Sequence, residues 1–201
     1  MTGPAGHDNR ATRTVEQAEK HLRASTIGEP QRLTGRIQVV DYDPAWLGQF
    51  AGEAGKIRAA LGSRALRVEH AGSTSVPGLA AKPIIDIVLV VAESADEASY
   101  VPALEAAGYV LRNREPEWFE HRMLKGADPA VHLHVFSIDC PEVARMLTFR
   151  DWLRANDADR ALYERTKRDL AQRDWTYVLN YADAKTEVVE AILARAVSTR
   201  S

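Results

Sequence analysis

The sequence holds a single cysteine, Cys140, among 201 residues. No intramolecular disulfide can form and a four-thiolate zinc site is excluded, so a reducing, cytoplasmic setting is expected. An excess of one charge is also missing. Lys and Arg number 26 against 28 Asp and Glu, for a formal net charge of −2. Bulk, sequence-independent nucleic-acid binding is excluded on that balance, although a local basic patch is not. Long apolar runs are lacking too. The most apolar stretch, Ile84 to Ala92, carries Asp86, whereas a spanning helix needs about 20 apolar residues. No membrane partner is expected, and the Gly-, Pro- and Arg-rich N-terminus does not read as a secretory signal. There is no internal repeat and no low-complexity tract.

What is present is ordinary for a soluble globular chain: 45% hydrophobic and 27% charged residues. Residues 1–34 read as a flexible or weakly helical tail. Within them Thr14 to Ser25 could form a helix, but its large apolar residues are only Val15 and Leu22. The domain spans 35–198. Ile37 to Tyr42 alternates like a strand, and Asp43-Pro44 reads as the start of a helix. Trp46, Phe50, Ala54, Ile57 and Leu61 then recur at helical spacing. A short strand follows at Leu66 to Glu69, and then a loop from His70 to Pro83.

Ile84 to Val91 is a β-branched run without alternation, which suits a central strand buried on both faces. Asp96 to Ala107 reads as a helix ending at Gly108. Tyr109 to Arg112 and Arg122 to Lys125 are weaker strands, and Val131 to Ser137 alternates strictly. Helices are expected near 141–155, 157–173 and 178–197. Four to six strands with a helical C-terminal part make an α+β domain.

The segment richest in chemistry runs from Glu69 to Ile87. Gly72 lets the backbone approach a ligand, and Ser73, Thr74 and Ser75 add hydroxyls beside exposed N–H groups. Such a turn can cradle phosphate, and Lys82 can neutralise charge on the same ligand. Asp86 is a lone carboxylate inside an apolar strand. Its burial calls for a metal, a cation or hydrogen-bond donors. A tight turn without ligand, with Asp86 paired structurally to Lys82 or an arginine, fits the spacing equally well.

The run from Glu69 to Asp86 resembles the GrpB family, a group of small bacterial proteins in the nucleotidyltransferase-like superfamily. Val39 to Trp46, the His132-Leu133-His134-Val135 strand and Phe149 to Arg154 support the resemblance. So do Tyr163, Lys167, Tyr181 and Lys185, and together these cover residues 36–196. The resemblance implies a nucleotidyltransferase-like mixed sheet. It also implies that Gly72 and Ser73 form the superfamily's Gly-Ser turn and that Asp86 is the first of two metal-holding carboxylates, for Mg²⁺ or Mn²⁺. The second carboxylate is missing. Val88 stands in its place, on the same strand face about 6.6 Å from Asp86, which puts a two-metal route in doubt.

His132 and His134 share one face of a later strand, where the superfamily carries a third acidic group. Two imidazoles at this spacing can ligate a transition metal, with Asp86 and His70 as further ligands. They can equally hydrogen-bond a buried carboxylate. His121, beside Arg122, is a further residue at the site's edge, while His7 and His21 fall in the tail. Arg150 and Arg154 lie on one helical face, and family resemblance marks Arg150, Lys167 and Lys185 as phosphate contacts. Trp152, Tyr163 and Trp175 read as packing residues. Ser73, Lys82, Asp86, His132 and His134 should converge on one cleft beside the sheet.

Three functions compete on these residues. The first is nucleotidyl transfer from a nucleotide or phosphate ester to an unknown acceptor, with Asp86, His132 and His134 as its catalytic set. The second is a catalytically silent ligand-binding or partner domain. Relatives of this kind occur fused to dephospho-CoA kinase, but no GxxxxGK[ST] loop occurs here, so such a protein partner would be separate. The third is a metal-dependent hydrolase using Asp86, His132 and His134.

Overall fold

The computed structural model describes residues 15–199 except 31 and 34. His7 and the rest of residues 1–14 lie outside the described residues. The helices are α1 (Val15–Ser25), α2 (Ala45–Leu61), α3 (Val101–Ala106), α4 (Pro141–Ala155), α5 (Asp157–Ala171), α6 (Val178–Asp183) and α7 (Thr186–Ser198). The strands are β1 (Arg67–Ala71), β2 (Ile85–Val91), β3 (Val110–Glu115), β4 (His121–Gly126) and β5 (Val131–Ser137). They form one five-stranded mixed sheet in the order β1-β2-β5-β4-β3. Among the described residues only the β2–β5 pair is parallel.

The apolar run of β2 sits second in the sheet because both of its faces are covered. On one face Ile85, Ile87, Leu89 and Val91 join Leu133 and Val135 of β5 against Trp46, Ala54, Ile57 and Leu61 of α2. On the other, Val88, Val90 and Phe136 pack beneath Val143 and Leu147 of α4. Farther along the cap, Leu153 of α4, Tyr163 of α5 and Ile192 of α7 close on Val76 and Leu79 of the β1–β2 loop. The domain is thus a sheet between an α2/α3 layer and a helical C-terminal cap, the expected α+β architecture. Among the described residues no helix is long and apolar enough to cross a membrane.

Several local expectations give way to tertiary context. Ile37 to Tyr42 does not join the sheet. Val40 makes an isolated bridge to Ala81, Asp41 is drawn to Arg168 of α5 at 2.6 Å, and Ile37 packs on Leu170 and Tyr181. The Asp43 carboxylate accepts from the Ala45 N–H at 2.8 Å, capping α2 as its position suggests. The helix expected over 96–107 is a 3₁₀ turn at Glu97–Ser99 followed by α3, with Pro102 in the first turn, where its missing N–H is tolerated.

The single helix expected over 178–197 breaks into α6 and α7. Tyr181 faces Ile37 and Leu170, whereas Ile192 faces Val76, Leu79 and Tyr163. One straight stripe cannot serve both partners. Within the segment read as a tail, α1 lies against the sheet's edge. The Ile27 N–H donates to the Arg112 carbonyl at 2.8 Å, Thr26 bridges Asn113 of β3, and Ala18 and Ser25 are buried.

Candidate functional site

The site begins where β1 ends. Gly72 adopts φ +64°, a conformation that favours glycine. Its bare Cα also lets Asp86 approach: a Cβ there would overlap Asp86 Oδ2 and stand 2.8 Å from the Asp86 Cβ. Ser73, Thr74 and Ser75 then form one 3₁₀ turn. Thr74 Oγ donates to the Ile84 carbonyl at 3.2 Å, and Ser75 Oγ donates to the Gly72 carbonyl at 2.6 Å. Both side chains are buried, so these hydroxyls brace the turn. Arg154 does the same from α4, with its guanidinium on the Ser75 carbonyl at 2.7 and 3.0 Å. Ser73 instead lines the cleft together with Tyr163.

Asp86 faces β5. The parallel register sets it opposite His132, and Val88 opposite His134. His132 Nδ1 lies 3.6 Å and His134 Nε2 3.8 Å from Asp86 Oδ1, beyond ordinary hydrogen-bond length. Ligand atoms of all three residues fall within 4.8 Å of one another, a cluster able to hold a metal ion. Burial favours the neutral form of the Asp86 carboxyl. When they carry a proton toward it, the two imidazoles facing it outweigh burial and hold it well below the usual carboxylate range. The position therefore draws positive charge, whether from protonated imidazoles or from a cation.

His70 cannot join this cluster. It pairs with Ile87 on the opposite face, stacks on Phe50 at 4.6 Å and meets Thr74 Oγ at 3.1 Å. Burial pulls its pKa down to about 4. Val88 does share the Asp86 face, but it is fully enclosed with Val90, Phe136, Val143 and Leu147. The vacancy in the carboxylate pair is thus filled by core.

Above Asp86 opens a cleft of about 960 Å³, lined by Gly72, Ser73, His134, Arg150, Tyr163 and Lys185 among others. Every guanidinium nitrogen of Arg150 already has a protein partner: Nη1 binds Glu69 Oε2 at 2.9 Å and the His70 carbonyl at 3.0 Å, and Nε and Nη2 bind Asp151 at 2.7 and 3.2 Å. Lys185 sits between α6 and α7 with its ammonium 4.6 Å from the Tyr181 ring centre. Burial lowers its pKa, against the pull of Asp86 and Asp183. Lys82 and Lys167 stand outside the cleft lining. Lys167 donates to the Ala80 carbonyl and lies 4.9 Å from the Tyr163 ring centre. Burial, then Lys185, bring its pKa down to about 7. Burial and Lys185 likewise depress Lys82. Burial is the main cause at all three lysines, Lys185 adds to it at Lys82 and Lys167, and Asp86 opposes it at each.

Tyr163, a packing residue by its sequence position, also lines the cleft beside Ser73. Burial pushes its pKa up to about 12. By sequence His121 belongs at the site's edge and His21 in the tail. The structure joins both to the site through Glu115 and His134. No local pattern marks these residues. They meet only once β3, β4, β5 and α1 lie side by side.

With this geometry in view, the comparisons are consistent. The sequence profile described as GrpB protein matches residues 36–195. A UPF0157 protein of Halalkalibacterium halodurans is 53% identical over 189 residues, 94% of this chain and 97% of that one. A dephospho-CoA kinase of Mycolicibacterium paratuberculosis is 32% identical over 176 residues, which is 75% of this chain but 43% of the kinase. Among solved structures, the crystal structure of the conserved protein GrpB from Enterococcus faecalis superposes with a TM-score of 0.71. It is 34% identical and covers 81% of this chain and 99% of its own. The chain belongs to the GrpB family.

Proposed function

We propose that the cleft takes a nucleotide or related phosphate ester together with one divalent metal ion at Asp86, His132 and His134, and acts on it at phosphorus. The observation that carries this reading is the meeting of one carboxylate and two imidazoles at 3.6 and 3.8 Å, with Asp86 and His134 lining a cleft that Lys185 also lines. Two imidazoles suit Mn²⁺ or Zn²⁺ better than Mg²⁺, which prefers an all-oxygen shell. A bound ion there would polarise a phosphoryl oxygen and lower the pKa of a bound water. Ser73, Arg150 and Lys185 face the space beside it and would orient the anion. Because Val88 is core, a paired-carboxylate, two-metal route is not supported, and single-metal transfer or hydrolysis is favoured over it.

A second reading has one observation behind it. The kinase relative matches this chain over less than half of its own length, so the domain occurs beside another activity and could serve as a silent ligand-binding partner.

A thermal-shift panel of nucleoside triphosphates and coenzyme A precursors, with and without Mn²⁺ or Zn²⁺, tests the first reading. A ligand at 100 times its Kd adds about 2.7 kcal/mol. Asp86→Asn should abolish the metal-dependent part while leaving the apo fold intact. Unchanged metal-dependent stabilisation in Asp86→Asn would sink the assignment. An apo loss of about 3 kcal/mol without any metal effect in the wild type would mark Asp86 as a structural partner of the histidines.

A further inference from the structure

The imidazole of His134 uses only one nitrogen toward Asp86. Its other nitrogen, Nδ1, lies 3.0 Å from His121 Nε2. His121 Nδ1 lies 2.7 Å from Glu115 Oε2, and Glu115 Oε1 lies 2.9 Å from His21 Nε2. A line of polar groups therefore runs from Asp86 across β5, β4 and β3 to helix α1. His121 is nearly inaccessible at 3% exposure. Its ring stacks on Phe136 at 4.8 Å and meets the edge of Trp118 at 4.9 Å, so packing fixes its plane.

The proton positions along this line follow from chemistry. An ionised carboxylate only accepts. Glu115 must therefore accept the Nδ1–H of His121. A neutral imidazole carries one N–H, so His121 Nε2 is an acceptor, and His134 must donate from Nδ1. That leaves His134 Nε2 bare, with its lone pair aimed at the Asp86 carboxylate 3.8 Å away. Two acceptors facing each other without a proton repel. A cation between them satisfies both. Bonds of about 2.0–2.2 Å to nitrogen and oxygen set tetrahedral ligand atoms roughly 3.3–3.5 Å apart, so each imidazole contact to Asp86 needs to close by only a few tenths of an ångström.

We propose that His121 and Glu115 are positioning residues that lock His134 in its Nδ1–H tautomer. They thereby present a lone pair to a transition-metal ion shared with Asp86 and His132, and His21 ties α1 into the same line. This deepens the metal reading above and rests on it. A hydrogen-bonded carboxylate behind a ligating histidine fixes the ring and raises its basicity, and losing such a partner costs 10- to 100-fold in metal affinity. A merely structural network would change stability alone.

The test uses the full chain. Long-range ¹H–¹⁵N NMR on the metal-free protein at pH 8 reads the His134 tautomer, and Co²⁺ titration followed by visible absorption reads affinity and ligand field. The variants are His121→Phe, which keeps the stacking ring, and Glu115→Gln, which keeps the shape. The wild type should show Nδ1–H at His134 and bind Co²⁺. His121→Phe should lose that tautomer preference and bind Co²⁺ about 10- to 100-fold more weakly. Glu115→Gln should fall between, which preserves the test if the phenylalanine variant does not fold. An Nε2–H tautomer in the wild type overturns the proposal. Wild-type tautomer and affinity in both variants overturn the positioning role alone. Absence of Co²⁺ binding by the wild type overturns the metal reading itself, and this inference with it.

Discussion

On the α2 side of the sheet, Ile85, Ile87 and Leu89 of β2 meet Leu133 and Val135 of β5. On the α4 side the same two strands present Asp86 and Val88 beside His132, His134 and Phe136. One residue of register separates the two sets. The α2 side is largely aliphatic, and its polar groups make local contacts: the Tyr109 hydroxyl donates to Glu53 at 2.5 Å, and His70 stacks on Phe50 and meets Thr74 through Nε2, its Nδ1 buried without a hydrogen-bond partner. The α4 side is graded along the strands. Its deep end is closed by Val143 and Leu147, and its mouth collects Asp86, two imidazoles and Lys185. Strand pairing is shared, so rigidity from the closed face holds the open one. A positioned carboxylate in such a place carries a stability cost that a well-packed aliphatic side does much to offset.

The sharpest way to break this division is Val88→Asp. The substitution restores a second carboxylate at the spacing the superfamily favours. Yet Val88 is fully buried among Val90, Phe136, Val143 and Leu147. An unpaired charge there should cost about 4 kcal/mol, read from urea denaturation, and Mn²⁺ should recover none of it. Recovery by Mn²⁺ would mean that the deep end of this face opens to the site, and the gradient along the strands would be wrong.

A smaller effect follows from the crowded lysines on the same side. Lys167 is 2% exposed and has its pKa brought down to about 7 by burial and Lys185. An unfolded lysine titrates near 10.4. Between these values the unfolded chain binds the extra proton, so stability rises with pH. From pH 7 to 9 the gain should be roughly 2 kcal/mol. Lys167→Met should remove that slope. Melting of both proteins across this range decides it. A flat wild-type profile would show that Lys167 stays charged inside the cap, with an anion or a carboxylate compensating it.

Much of this contrast is readable before folding. The unalternating run at 84–91 and the strict alternation at 131–137 identify the two strands, and period two puts Asp86 with Val88 and His132 with His134. What the sequence does not carry is which strands become neighbours. The parallel pairing that sets Asp86 beside His132 joins segments separated by β3 and β4. The line from His134 to His21 spans 113 positions through two weak strands and a polar helix. Local pattern also misjudges the hydroxyls of Thr74 and Ser75. The 3₁₀ turn curls them onto the backbone, leaving Ser73 to face the cleft. The resemblance marked Tyr163 without its role, because a buried tyrosine shows the cleft it lines only in three dimensions.

The gentlest test asks whether the two faces are independent. Ile87 is fully buried, lies between His70 of β1 and Leu133 of β5, and follows Asp86 directly. Ile87→Val removes one methyl group from the closed face, for a loss of about 1 kcal/mol. Valine keeps the β-branched rotamer preference, so the strand's backbone has no reason to shift. Metal affinity at Asp86, His132 and His134 should stay within about twofold, since a tenfold change needs about 1.4 kcal/mol delivered to the site itself. Chemical denaturation and Co²⁺ titration on the same preparation read the two quantities together. A drop in stability with unchanged affinity shows that the closed face supports the fold and leaves the site's geometry to its own residues. A tenfold loss of affinity from one distant methyl would show that packing against α2 sets the Asp86 position, and the two faces would have to be treated as one coupled unit.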